Sequence, residues 1–483
     1  DAPTTFYIGS KDAPTTFYIG SKDAPTRRLF ADFNLFIFAN TFLAYKIGYA
    51  TINCVKTLIK YSGIILVGIN LTLSAAVFYC DPQKGSPQGD GSKNSPLRTI
   101  EEVVNAKMIQ IVDATGRITN PNAIIKPGDT ILLRSGWQGV IQIRGGFNEK
   151  PITIAADEGA RPQVGWVEIG SGKNWIIKGL TVSPSLAPKP LERLPHTLVM
   201  LGERGDGANL VVEDCFVFTE KDSTKWTAQD WIKKARSGIW LGRNGYGHIA
   251  RNNYVLNTRF GIQLCATNAI CEGNVIENFS ADGIRITRDG QIVRYNVIKN
   301  VFVGSKDGDD NHDDGIQAFL FNVGTGTLRD VSVIGNIIIA REDDNLPFPN
   351  ELQGLGFFDG PLVNFIVEDN VVCVNHWHGI TLGDAQNCII RNNVCYSRWG
   401  GKALPWIMIG QKKKQAHGNF VSNNFANSFS YKADPAITET NNLKVTPEIF
   451  NKRLEELLAV INDKYGKVHP VAGLPRVKTI EKK

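Results

Sequence analysis

The sequence predicts an all-β solenoid, a parallel β-helix of short stacked coils, and two recurring patterns carry that prediction. The first is Gly-Ile-x-apolar, at Gly238-Ile239, Gly261-Ile262, Gly283-Ile284, Gly315-Ile316 and Gly379-Ile380, with Gly354-Leu355-Gly356-Phe357 a looser copy. The glycines lie 23, 22, 32, 39 and 25 residues apart. The second is Asn followed by two mostly apolar residues, at Asn253, Asn274, Asn296, Asn336, Asn370 and Asn393. A base period near 22 with insertions is the mark of stacked coils. One such coil cannot bury its apolar side alone, so coils stack and their strands pair in parallel. A leucine-rich repeat would need a leucine frame that is missing here, and a propeller would repeat at about 40 residues or more. Asn before a strand tolerates left-handed backbone and can ladder between coils.

From the N-terminus, DAPTTFYIGSK stands twice in tandem, at 1–11 and 12–22, and DAPT opens a third copy. A perfect repeat that stops so soon is not a solenoid, and 1–54 reads as a non-native or artefactual leader. Residues 55–76 read as a signal peptide. Lys56 and Lys60 precede an apolar run ending in Ser74-Ala75-Ala76, the order of basic, apolar and small-residue regions that export signals share. Val55 is then the start and Val77 the mature end. A membrane anchor is the competing reading, but the run is short for a span of roughly 20 residues and Asn70 interrupts it. The expected location is secreted or periplasmic, with no stable membrane span after processing.

The stack is expected over 77–430. Its opening, VFYCDPQKGSPQGDGSKNSPLRTIEEVV from Val77, resembles that of secreted right-handed parallel β-helix proteins of the pectate-lyase-like superfamily, as do the later KPGDTILLRSG from Lys126 and KPITIAADEGARPQV from Lys150. The resemblance implies right-handed coils, a short helix capping the first of them, and a polysaccharide lyase or glycoside hydrolase. Residues 222–236 read as a helical insertion. Residues 431–483 read as a C-terminal helix and tail, the helix opened by Thr446-Pro447-Glu448, with a capping Thr, Pro at the first helical position and an early acid.

The composition excludes little. A net charge of +6, without a basic stripe interleaved with aromatics, speaks against nucleic-acid binding. Beyond residue 76 there are 46 basic and 43 acidic residues, so much of the excess belongs to the leader. No CxxC pair occurs among the eight cysteines. They read as small buried hydrophobes, with a Cys265–Cys271 disulfide left open.

The Gly-Ile frame defines columns of side chains. Two residues past each glycine, Trp240, Gln263, Arg285, Gln317, Gly356 and Thr381 point outward. Before each glycine stand Ser237, Phe260, Asp282, Asp314, Gln353 and His378. Five past it stand Arg243, Ala266, Arg288, Leu320, Asp359 and Asp384. Coils rise about 4.8 Å apart, so these residues share one face within reach of an oligosaccharide. The long insertions before Asp314 and Gly354 would wall it.

The acidic run KDGDDNHDDG, from Lys306, enters this face. Asp307, Asp309 and Asp310 are candidate Ca2+ ligands, since hard oxygens suit that ion, though His312 and Ala318 stand where an EF-hand needs Gly and Glu. The candidate catalytic residues are His312, Asp313, Asp314, Arg285 and His378. Gln317, Arg288, Asp359, Asp384 and Trp377 are candidate substrate contacts, the last by stacking on a sugar face. Crowded carboxylates raise one another's pKa and so can supply acid and base near neutral pH.

The expected function is cleavage of an acidic, uronic-acid-containing polysaccharide, by β-elimination. The alternatives are an inverting glycoside hydrolase with paired Asp and a non-catalytic carbohydrate-binding surface or phage-type spike. The Arg-His-Gly that chondroitinase-B-like lyases carry after a Thr-Leu pair is absent, because Thr381-Leu382 is followed by Gly383-Asp384.

Overall fold

The computed structural model describes residues 75–203, 206–401, 404–466 and 476–477, together with four short strands nearer the N-terminus. The chain divides into two units, 1–74 and 75–483. In the first, Tyr7–Ser10 pairs antiparallel with Ala13–Thr16, and Ile52–Asn53 with Asn70–Leu71. Most of the expected signal segment and of the tandem repeat lie outside the described residues. Among the described residues no helix is long and apolar enough to cross a membrane.

The second unit is a right-handed parallel β-helix. Its coils contribute strands in turn to three long parallel sheets: sheet A of 13 strands from Val77–Cys80 to Thr438–Thr440, sheet B of 12 from Gly136–Trp137 to Leu443–Lys444, and sheet C of 11 from Ile141–Ile143 to Ser428–Ser430. A small fourth sheet joins Leu328–Arg329, Leu362–Val363 and Ala385–Gln386. The last coil pairs in register past residue 430, so the stack ends at Lys444 and not at the expected boundary.

Alternate residues of each strand point inward and stack like on like. In sheet A, Ala250, Cys271 and Val293 share one column; in sheet C, Ile262, Ile284 and Ile316 share another. All six are fully buried. Cys271 thus holds a core position, and the seven described cysteines are free and buried, so Cys265 and Cys271 are not bridged.

The turn from sheet A to sheet B carries an uninterrupted amide ladder. Asn253 Nδ2 donates to Asn274 Oδ1 (2.9 Å), Asn274 to Asn296 (3.0 Å), Asn296 to Asn336 (2.9 Å), and so on through Asn370, Asn393 and Asn424 to Asn442. Each rung also donates to a backbone carbonyl of the preceding coil, as Asn336 does to Val293 (3.0 Å). The ladder asparagines do not themselves take the left-handed conformation. The residue before each does, for example Asn252 (φ 51°), Tyr295 (φ 57°) and Asp369 (φ 56°). The recurring glycines of sheet C have a different cause, which is close approach. A Cβ on Gly261 would lie 2.3 Å from the Gly283 carbonyl oxygen, and one on Gly354 2.1 Å from that of Gly379.

Helix α1 (Ile100–Asn105), capped by Thr99, closes the first coils. Helix α2 (Ala228–Lys233) begins in a Thr227/Asp230 capping box and buries Trp231 against Phe302. Helix α3 (Pro447–Tyr465) lays Phe450, Leu454, Leu457 and Ile461 over the outer face of sheet B, against Val275, Val297, Ile337, Val371 and Val394. That face is therefore closed along much of its length, while the outer face of sheet C remains available.

Candidate active site

The column expected from sequence holds in register. Trp240, Gln263, Arg285, Gln317, Gly356 and Thr381 pair in turn along sheet C, and Met408 follows. Asp314 opens its strand, Asp314–Ala318, and pairs with Gln353 on the next coil. The two long insertions, 302–313 and 341–352, pack on each other through a Phe302–Pro349 bridge. Asn350 Nδ2 reaches across to Asp313 Oδ2, and Asn311 Nδ2 donates to Asp313 Oδ1 (2.7 Å). The acidic run is thus partly buried.

Its residues separate into different roles. Asp309 is buried in a bidentate ion pair with Arg259, a residue of an earlier coil. Asp307 caps a short 3₁₀ turn by accepting from Gly304 N (3.2 Å), and Asp310 is exposed. The three expected Ca2+ ligands are therefore not gathered, and a guanidinium already neutralises Asp309. They do not fit a calcium ion. Among the described residues no group of three His, Cys, Asp or Glu side chains is arranged for a metal.

Asp282, Asp313 and Asp314 form a buried carboxyl cluster. Asp282 Oδ1 accepts from Asp314 N (3.0 Å), and its Oδ2 from Arg285 Nε (2.5 Å). The Arg285 guanidinium lies 3.8 Å from the Phe260 ring centroid, so this cation is held from both sides. Asp314 has no cation of its own and its Oδ1 has no hydrogen-bond partner among the described residues. Burial, then the charges of Asp282 and Asp313, push its pKa well above the ordinary carboxylate range. Asp313 is raised too, by burial first and then by Asp282 and Asp309.

Gly356 makes this arrangement possible. A Cβ there would lie 1.8 Å from Asp314 Oδ1 and 2.6 Å from its Cγ. The carboxyl of Asp314 occupies the space that a side chain at this column position would fill. Sequence reading placed Gly356 in the column but saw no role for it; the one signal was a glycine at an outward position between Gln317 and Thr381.

One coil on, His378 Nδ1 accepts from Trp406 Nε1 (3.2 Å) and lies 2.9 Å from Thr381 Oγ1. An indole nitrogen only donates, so the ring proton of neutral His378 sits on Nε2. Burial and His376 hold the His378 pKa down at about 4. His376 stacks on His378 with centroids 5.1 Å apart and accepts the His378 backbone N–H at Nδ1 (3.1 Å). Trp377 is exposed beside them, and Phe358 meets the edge of His378. His312 is exposed.

The remaining expected contacts divide. Gln317 is half-buried in the column. Asp359 faces solvent in part and pairs with Lys412 Nζ (2.8 Å). Asp384 is buried and accepts the backbone N–H groups of Lys412 (2.6 Å) and Lys413 (2.9 Å), so it shapes a turn. Arg288 lies beneath the 319–324 turn, over the Phe321 ring.

A cavity of about 1330 Å³ opens elsewhere, on the sheet B side, among Phe216, Phe218, Tyr254, Leu256 and Glu277. Its charges compensate one another: Lys299 bridges Glu277 (3.2 Å) and Glu342 (2.9 Å), and the Tyr254 hydroxyl donates to Glu277. Among the described residues, none of its lining carboxylate oxygens is buried without a partner, as Asp314 Oδ1 is.

No protein-family model and no curated protein matches the sequence. Solved structures do. One is a GH136 lacto-N-biosidase from Eubacterium ramulus, at 14% identity over 77% of this chain and 68% of that one, TM-score 0.41. A second is the pectate lyase Pel9A, at 15% identity over 76% and 78%, TM-score 0.38. A third is the A-module of the mannuronan C-5 epimerase AlgE6 from Azotobacter vinelandii, at 10% identity over 66% and 91%, TM-score 0.39. The three names describe different activities, and one fold hosts many functions. By its own three stacked parallel sheets, the chain is a right-handed parallel β-helix protein.

Proposed function

We propose that the protein is a carbohydrate-active enzyme that binds an acidic, uronic-acid-containing glycan along the outer face of sheet C and cleaves it by hydrolysis. The observation that carries this reading is the buried carboxyl of Asp314 over Gly356, without an ion-pair partner among the described residues and with its pKa raised. Burial and the neighbouring carboxylates favour the protonated form of Asp314, and a protonated carboxyl can act as a general acid. Asp314 gives its proton to the glycosidic oxygen as the bond from the anomeric carbon to that oxygen breaks. Asp359, ion-paired with Lys412, takes a proton from the water whose oxygen bonds to the anomeric carbon. This is the division of labour of an inverting glycosidase.

Hydrolysis is favoured over the β-elimination expected from sequence for two reasons. Elimination needs a cation to neutralise the uronate and a base with a free lone pair. Beside the carboxyl cluster itself, Arg285 and Arg259 are engaged by Asp282 and Asp309, and both Nδ1 atoms of His376 and His378 are occupied. Elimination retains one specific support, the exposed imidazole of His312 beside the cluster. The protein acts outside the cytoplasm, exported by the segment ending at Ala76, a point that N-terminal sequencing of the secreted protein tests.

The function is tested by incubating the protein with pectate, alginate and glycosaminoglycans. New reducing ends without ultraviolet absorbance from an unsaturated uronate, lost in Asp314→Asn, are expected. Absorbance of that product would mean elimination. No cleavage of any polymer would leave the binding-protein reading in place.

A further inference from the structure

The outer face of sheet C is covered at one place by its own chain. After Ala318 the polypeptide turns back on itself, with Leu320 N donating to Gly324 O (2.8 Å) and Gly324 N to Leu320 O (2.9 Å). The tip is exposed, and Val323 is 65% accessible. Phe321 points back onto the sheet. Arg243 lies on one side of its ring at 5.4 Å from the centroid, and Arg288 lies at 5.5 Å. Trp240 meets it edge-on at 5.6 Å and 90°. The arginines stand at equivalent positions two coils apart, a separation of about 10 Å. On the coil between them that position is Ala266, so a gap one ring wide is left.

The polar groups around this gap are incompletely satisfied. Arg243 Nη2 donates to Glu203 Oε1 (2.7 Å), but Trp240 Nε1, Arg243 Nε and Glu203 Oε2 are buried without a hydrogen-bond partner among the described residues. Arg288 donates only to the carbonyl of its neighbour Thr287 (2.9 Å) and has no carboxylate partner among those residues. Leaving such groups unpaired under an aromatic ring costs free energy that a hydrogen-bonding ligand would recover.

We infer that Trp240, Arg243 and Arg288 form a subsite for one anionic sugar residue, and that Phe321 is a lid residue occupying it until the glycan arrives. Two guanidiniums about 10 Å apart suit a carboxylate or sulfate ester on a pyranose ring lying between them. The indole offers an apolar face and an N–H. The turn hinges at Leu320 and Gly324, whose two mutual hydrogen bonds hold its tip, so Phe321 can leave without disturbing the Asp314–Ala318 strand. This rests on the reading that the glycan lies along sheet C, but it does not require that the glycan be cleaved.

The test is therefore binding, measured by titration calorimetry with a polyuronate, a sulfated glycosaminoglycan and a neutral glucan. The proteins compared are Asp314→Asn, used as the non-cleaving form, and the same form carrying Phe321→Ala or Arg243→Gln with Arg288→Gln. One anionic polymer is expected to bind in preference to the glucan. Removing the phenyl ring should tighten that binding about threefold or more, because no competing ring must leave. Removing both guanidiniums should weaken it about tenfold or more and flatten its salt dependence. Which anionic polymer responds separates carboxylate from sulfate recognition. The inference is overturned if the double-arginine variant binds like its parent, if Phe321→Ala weakens binding, or if no anionic polymer binds. Cleavage failing while this pattern holds would remove the hydrolase and leave the subsite. Circular dichroism melts confirm that each variant is folded.

Discussion

Substituting Gly356 with alanine adds one methyl group, and the structure says where it goes. The new Cβ would lie 1.8 Å from Asp314 Oδ1, 2.6 Å from Cγ and 3.0 Å from Oδ2. Ordinary contact with the nearest oxygen needs more than 3 Å, so the carboxyl must retreat by about 1.5 Å. Asp314 is short and its backbone is fixed in the ladder by Asp282 and Gln353, so the retreat comes from rotating the carboxyl out of its slot. Misplacing a reacting group by about 1 Å costs on the order of 100-fold in rate. The packing cost is about 1–3 kcal/mol, which a stack of this size tolerates. Gly356→Ala should therefore remain folded, keep its KM within a few-fold, and lose about 100-fold or more in kcat. A second substrate sharpens the assay. An aryl glycoside whose phenolate leaves without protonation does not need a general acid, so Gly356→Ala should spare its cleavage far more than that of the natural linkage. Wild-type kcat on both substrates in a folded variant, or equal losses on both, would refute the assignment of Asp314 as the acid and of Gly356 as the residue that seats it.

Further predictions follow from the same geometry. Because Asp314 has a folded-state pKa raised above its ordinary 3.8, the native state binds more protons than the unfolded chain between those limits, and stability falls as pH rises through that window. Asp314→Asn should thus be inactive yet melt higher than the parent at pH 7, with the difference closing as pH falls toward 4. Asn336→Ala removes donors to Asn370 and Val293 and an acceptor for Asn296, in a fully buried position; a loss of about 3 kcal/mol or more in urea denaturation is expected. Phe450→Ala takes away a buried ring stacked 4.8 Å from Tyr396 and should cost about 3–5 kcal/mol by the same measurement, lifting helix α3 from sheet B. His376→Asn should raise the pKa of His378 from about 4, followed by proton NMR of its ring, since one of the two depressing causes is removed and burial remains.

What the amino-acid sequence determined by itself was the repeat. Glycine at a spot where a methyl would strike the next coil's carbonyl, and asparagine where an amide must bond both the neighbouring amide and a backbone carbonyl, are demands that recur once per coil. They are therefore visible as a period. The column of outward residues followed, because strand alternation fixes facing and the period fixes register. The helix at 447–465 was legible from its cap and apolar spacing, and 222–236 was read as a helical insertion, within which 228–233 is helical.

What only the tertiary structure decided was the fate of individual charges. Asp307, Asp309, Asp313 and Asp314 look alike in one loop. They differ because Arg259, Asn350 and Gly356 approach them from positions 37 to 50 residues away. Asp384, expected as a substrate contact, accepts two backbone N–H groups from the next coil. A pKa or a free lone pair depends on which groups desolvate and bond a carboxyl, and in a solenoid those come from other coils. The length of each insertion, which no period constrains, sets which groups meet.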